Sequence, residues 1–110
     1  MAKREAARLA REAAERELRE RVTLDWNEWS AARNRAKLAG EARSMSREVY
    51  ESYARQYTAG RKSWIDVLNA VREAVQSEWT VADTHAQMLG ASLRLRAHMG
   101  ALPMSSALVR

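Results

Sequence analysis

The sequence predicts an all-α protein: a long antiparallel helical hairpin of coiled-coil character, packed into an oligomeric helical bundle or forming part of an α-barrel. Composition is the first observation behind this. Alanine, arginine, glutamate and leucine dominate the 110 residues, phenylalanine is absent and proline occurs once, a profile of long helices rather than sheets. The second is where the helix breakers fall. Residues 1–59 contain one glycine, Gly40, and no proline, and between Gly60 and Gly100 the only further glycine is Gly90. The third is periodicity, since apolar residues recur at steps of three, four and seven.

The first helix is expected over about residues 4–57, which at ~1.5 Å per residue gives a rod of roughly 80 Å. Its apolar residues form two series. Leu18, Val22, Trp29, Ala32, Ala36 and Ala39 make one, and Leu24, Ala31, Leu38, Ala42, Met45 and Val49 the other. A repeat of seven, slightly short of two ideal turns, implies left-handed supercoiling against neighbours.

A tip turn follows over 58–62. Gly60 can adopt positive φ after the last turn of the first helix, and Ser63 can cap the second, with Asp66 completing the capping arrangement. Arg61 and Lys62 are then expected to project from the exposed end. Gly60-Arg61-Lys62-Ser63 superficially suggests a phosphate loop, but the earlier glycine and the preceding strand of that motif are missing.

The second helix is expected over about 63–99, with a tail over 100–110. Val67, Ala74, Val81, Met88 and Leu95 recur every seven residues and are the candidate oligomer-packing stripe; Leu68, Val75, Ala82 and Leu89 repeat beside them. With Trp64, Val71, Trp79, Ala86 and Leu93 they spread over about 200° of circumference, twice an ordinary amphipathic stripe. One partner helix cannot cover that arc. Opposite runs a polar line of Asp66, Asn69, Glu73, Gln76, Thr80, Thr84, Gln87, Arg94 and His98. A helix with neighbours on two sides and water on a third suits a wall of helices around a water-filled barrel, and equally a four-helix bundle made by dimerisation.

The net charge of +5 raises nucleic acid as a partner, and its distribution argues against it. Between Lys3 and Arg21 seven basic and five acidic residues interleave, with Glu12/Arg16, Glu15/Arg19 and Glu17/Arg21 at the favourable i,i+4 spacing, the pattern of a solvated helix held by its own pairs. There is no cysteine, which excludes disulfides and thiolate metal sites. No apolar run approaches the ~18 residues that span a bilayer, and the N-terminus is expected to carry no export signal because it lacks an apolar core. His85 and His98 have no second metal ligand three or four residues away. Serines and threonines stand in no His/Asp constellation suited to nucleophilic catalysis. The expectation is therefore no enzyme, no metal and no cofactor, with the tryptophans as packing anchors and Trp64 as a possible partner contact.

The run Tyr53-Ala54-Arg55-Gln56-Tyr57-Thr58-Ala59-Gly60-Arg61-Lys62-Ser63-Trp64-Ile65-Asp66-Val67-Leu68-Asn69-Ala70 resembles the periplasmic helical tip of the TolC-type outer membrane efflux and secretion channels. Arg72-Glu73-Ala74, Ala82-Asp83 and Leu93-Arg94-Leu95 before Gly100 fit too, as does the region from Val22 to Ala32, so the likeness runs from about Ala10 to Leu102. The wording Arg61-Lys62-Ser63-Trp64 is most similar to the branch paired with type I secretion of large adhesins.

The resemblance implies a trimeric channel of two structural repeats per protomer, with an outer membrane β-barrel on a periplasmic α-helical tunnel. This chain would supply the last helical pair of the second repeat, placing it in the periplasm. It further implies that Asp66 lines the aperture, with Asn69 standing where efflux channels carry a second carboxylate, and that Asn69 and Glu73 face the lumen beside it. Lys62 would help hold the closed aperture, with Tyr57 near an aromatic of similar role. Gly60 and its neighbours Arg61, Ser63 and Trp64 would meet the periplasmic adaptor, the membrane fusion protein. A free-standing soluble helical oligomer or a basic nucleic-acid-associated protein is the alternative.

Overall fold

The structure, a computed structural model, describes residues 2–108, with side chains for residues 2–101. The fold is an all-α helical hairpin. Helix α1 (Ala2–Thr58) and helix α2 (Trp64–Leu108) are joined by the turn 59–63, and no strand occurs among the described residues. α2 runs on through Gly100 and Pro103, where a tail was expected, to Leu108. The fixed φ of proline fits the helix, although the residue gives up its own N–H and its ring crowds the carbonyl four residues earlier. Residues 109 and 110 of the expected tail lie outside the described residues.

Contacts group the hairpin into two units, residues 32–88 and residues 1–31 with 89–110. Each pairs a segment of α1 with a segment of α2. In the unit of residues 32–88 the buried side chains are Ala32 and Ala39 from α1 and Ala70 and Thr84 from α2. Ser46 and Ser77 meet across the helices, Oγ to Oγ at 2.8 Å. At the rim Arg47 reaches Glu78 at 3.1 Å and Arg43 reaches its other carboxylate oxygen at 3.8 Å. In the second unit Ala91 and Leu95 are buried. Asp25 pairs with His98 through Oδ2 and Nδ1, and Glu28 with Arg94 at 3.1 Å. The rings of Trp26 and Trp29 lie 5.2 Å apart, tilted by 49°.

These contacts identify the face each helix turns to the other. On α2 it is Val67, Ala70, Ala74, Ser77, Val81, Thr84, Met88, Ala91, Leu95 and His98, all buried or half-buried and spaced alternately three and four residues apart. On α1 the matching series is Leu18, Val22, Asp25, Trp29, Ala32, Ala36, Ala39, Arg43 and Ser46. The stripe Val67, Ala74, Val81, Met88 and Leu95, expected to pack against other copies, is thus turned toward α1 in the single chain. Thr84 and His98 leave the expected polar line for this seam. A threonine is small, and its hydroxyl can be satisfied on its own helix: Thr84 Oγ1 donates to the Thr80 carbonyl at 2.7 Å, with the Val81 carbonyl at 3.2 Å. His98 is satisfied instead across the helices, by Asp25.

The fully buried part of the seam is mostly alanine, with Leu95 and Thr84, and among the described residues no large side chain is buried completely. Many of the large apolar residues lie outside it. Leu24, Leu38, Met45 and Val49 are exposed on α1, and Ile65, Leu68, Val75, Trp79, Leu89 and Leu93 on α2, Trp79 by 71%. Three of the four tryptophans, Trp26, Trp64 and Trp79, are exposed rather than anchored within the chain. At about 103° per residue in a supercoiled helix, the outer α2 series sits roughly 150° around from the α1-facing one.

Candidate functional site

The tip is built by two caps placed back to back. α1 closes with Gly60 at φ 80°, where the Gly60 N–H donates to the Tyr57 carbonyl at 3.0 Å and the Arg61 N–H to the Gln56 carbonyl at 2.7 Å. This paired pattern satisfies two of the carbonyls that a helix end leaves without partners, and it needs a residue that tolerates the left-handed region. Thr58 adds a bond from its hydroxyl to the Ala54 carbonyl at 3.1 Å. α2 opens with Ser63, whose Oγ accepts the Asp66 N–H at 3.3 Å while the hydroxyl donates to Asp66 Oδ2 at 3.0 Å. The Asp66 carboxylate also lies in the first turn of α2, where the helix dipole favours negative charge.

Side chains around this turn divide into two sets. Lys62, expected to project, folds back: its Nζ stands over the Tyr53 ring, 4.3 Å from the centroid, and the residue is half-buried. A cation on an aromatic face keeps its charge near water while covering the ring. Arg61, Ser63 and Trp64 remain exposed, and Tyr57 is about half exposed. The tip thus presents the Arg61 guanidinium, the Trp64 indole and the Tyr57 phenol ring around Gly60.

Of the residues expected to face an aperture, Asn69 and Glu73 are exposed and Asp66 is half-buried against its serine. The three fall on successive turns on one flank of α2, beside the seam and not in it. Together with Asp83 farther along they make this flank acidic on the tip-proximal part of α2. The stripe Val67, Ala74, Val81, Met88 and Leu95 does not join this flank.

Sequence reasoning missed three things. Tyr53 receives Lys62; the i,i+4 spacing of Tyr53 and Tyr57 puts both on one face, but only the turn geometry shows which ring the lysine reaches. The Asp25–His98 and Ser46–Ser77 contacts were also missed, although each pair sits at heptad positions of its own helix. Among the described residues no group of three His, Cys, Asp or Glu side chains is placed to hold a metal ion. No helix among them is long and apolar enough to cross a membrane.

The family model for outer membrane efflux proteins matches residues 1–101, nearly the whole chain. Comparison with curated proteins and with solved structures gives no significant match.

Proposed function

This chain belongs to the outer membrane efflux protein family, and from that membership we propose that its hairpin is a stretch of the periplasmic wall of a homo-oligomeric efflux or type I secretion channel. It catalyses no reaction and takes no cofactor. The wall is passive: Asp66, Asn69 and Glu73 give an acidic, hydrated flank at the aperture end, and Tyr57, Gly60, Arg61, Lys62, Ser63 and Trp64 form the tip that meets a periplasmic adaptor protein. The observation that carries the reading is the second apolar series on α2, which α1 leaves uncovered. A helix flanked by apolar neighbours on nearly opposite sides, with a hydrated flank between them, is the unit from which a helical wall is assembled.

Two measurements on the full chain test it. Light scattering at low and high salt, with and without duplex DNA, should find an oligomer whose mass does not change with DNA. A monomer, or DNA binding with a steep salt slope, would replace the channel reading with that of a basic nucleic-acid-associated protein. For the tip, the chain with Arg61→Ala and Trp64→Ala should bind the adaptor's helical hairpin at least about tenfold more weakly at unchanged helicity, a loss typical of removing interface anchors. Unchanged affinity would remove the tip from the adaptor contact.

A further inference from the structure

The two helices of this chain pair through their less apolar faces. On α1 the seam between Asp25 and Ser46 carries Trp29, Ala32, Ala36, Ala39 and Arg43, with Ala32 and Ala39 buried, and the α2 seam carries the buried Ala70, Thr84, Ala91 and Leu95 with the half-buried Val81 and Met88. The outer series carry Leu24, Leu38 and Met45 on α1 and Leu68, Val75, Trp79, Leu89 and Leu93 on α2, at the same heptad spacing. Burial energy scales with apolar area, so on area alone the outer faces are the better partners for any helix of similar pattern. The turn 59–63 tethers α1 to α2 but does not choose which faces meet. A row of alanines does not choose either, because one heptad of it looks like the next.

What distinguishes the seam is its polar content. Ser46 meets Ser77 in one unit, and Asp25 meets His98 in the other. Asp25 precedes Ser46 by twenty-one residues, and His98 follows Ser77 by the same number, so along each helix the sequence separates the two contacts by three heptads. Each layer is internally satisfied. The Ser77 Oγ also lies 2.8 Å from the Glu73 carbonyl, so Ser46 can donate to Ser77 while Ser77 donates onward. The Asp25 side chain is 14% exposed; flanking it, Glu28 is engaged by Arg94 and Arg21 by Glu17, which leaves His98 as its partner from α2. A polar group in such a seam is tolerated only opposite a partner that satisfies it, the means by which coiled coils fix register and partner at some expense of stability.

We propose that the Asp25–His98 and Ser46–Ser77 layers specify that α1 and α2 of one chain pair through these faces, reserving the more apolar outer series for other helices. The inference concerns pairing within the chain and does not depend on what the assembled protein transports. The layers act as a choice between partners, not as a source of stability.

The chain has no cysteine, which permits a direct test. Ala39→Cys with Thr84→Cys, two buried seam positions of one unit that each lie one heptad from the Ser46–Ser77 contact, should give an intrachain disulfide in nearly all molecules on mild oxidation. The same pair is then placed in a chain whose layers are replaced by Asp25→Leu, His98→Leu, Ser46→Ala and Ser77→Ala. This second chain should be as helical and at least as resistant to heat, while the intrachain product falls several-fold and crosslinked dimers replace it. An unchanged intrachain yield overturns the proposal, because pairing then needs no polar label. Loss of helix or of heat resistance in the second chain overturns it too, since the layers would then act through stability.

Discussion

At the residue scale the tip depends on one glycine and one serine. Gly60 has φ 80° and open space around the position of a Cβ, so Gly60→Ala meets no steric neighbour and its effect is purely one of backbone conformation. It should cost about 1 kcal/mol, read as a lowered thermal midpoint at unchanged helical content. Ser63→Ala removes the acceptor for the Asp66 N–H and should cost a similar ~1 kcal/mol, with fraying confined to the first turn of α2 in hydrogen exchange. Lys62→Met keeps the aliphatic stem on Tyr53 and removes the cation, so its expected effect is smaller, about 0.5 kcal/mol. Gly60, Ser63 and Asp66 were legible in the sequence because caps are local: their geometry is set within six residues by the backbone itself. The Lys62–Tyr53 contact was not, because it joins the end of one helix to the turn that follows and depends on the path of the chain between them.

At the scale of the element, the same periodicity that makes the helices predictable hides which side is in. α2 has two heptad series displaced by one residue, Val67/Ala74/Val81/Met88 and Leu68/Val75/Ala82/Leu89, and spacing alone ranks them equally. Size would have favoured the second as the buried one, but the hairpin selects the first, which shares its face with Ala70, Ser77, Thr84 and Ala91 and lets the backbones approach closely. The two faces separate experimentally. Val81→Asp places an unpaired carboxylate in the seam and should unfold the hairpin, lowering helical content by circular dichroism. Val75→Asp lies on the outer series and should leave the helix intact while dissociating assemblies, seen as a drop in mass by sedimentation. If both variants lose helix equally, the outer series is part of the same folding unit as the seam.

At the scale of the whole molecule alanines make up most of the fully buried positions, while Trp26, Trp64, Trp79 and most leucines are exposed. In the assembly proposed above, those outer residues would be covered by neighbouring helices. Surface ion pairs contribute little to holding the hairpin together. Glu17–Arg21, Glu28–Arg94 and Arg47–Glu78 all sit in side chains about half exposed, where each contributes ~0–1 kcal/mol. Raising salt should therefore shift the thermal midpoint by only a few degrees.

If neighbouring copies cover these exposed apolar groups, as proposed, the chain is subject to mass action. Its melting temperature should climb with each tenfold rise in protein concentration, because association favours only the folded form, and dilution should act on it as a denaturant does. Solitude, for such a hairpin, is a form of stress.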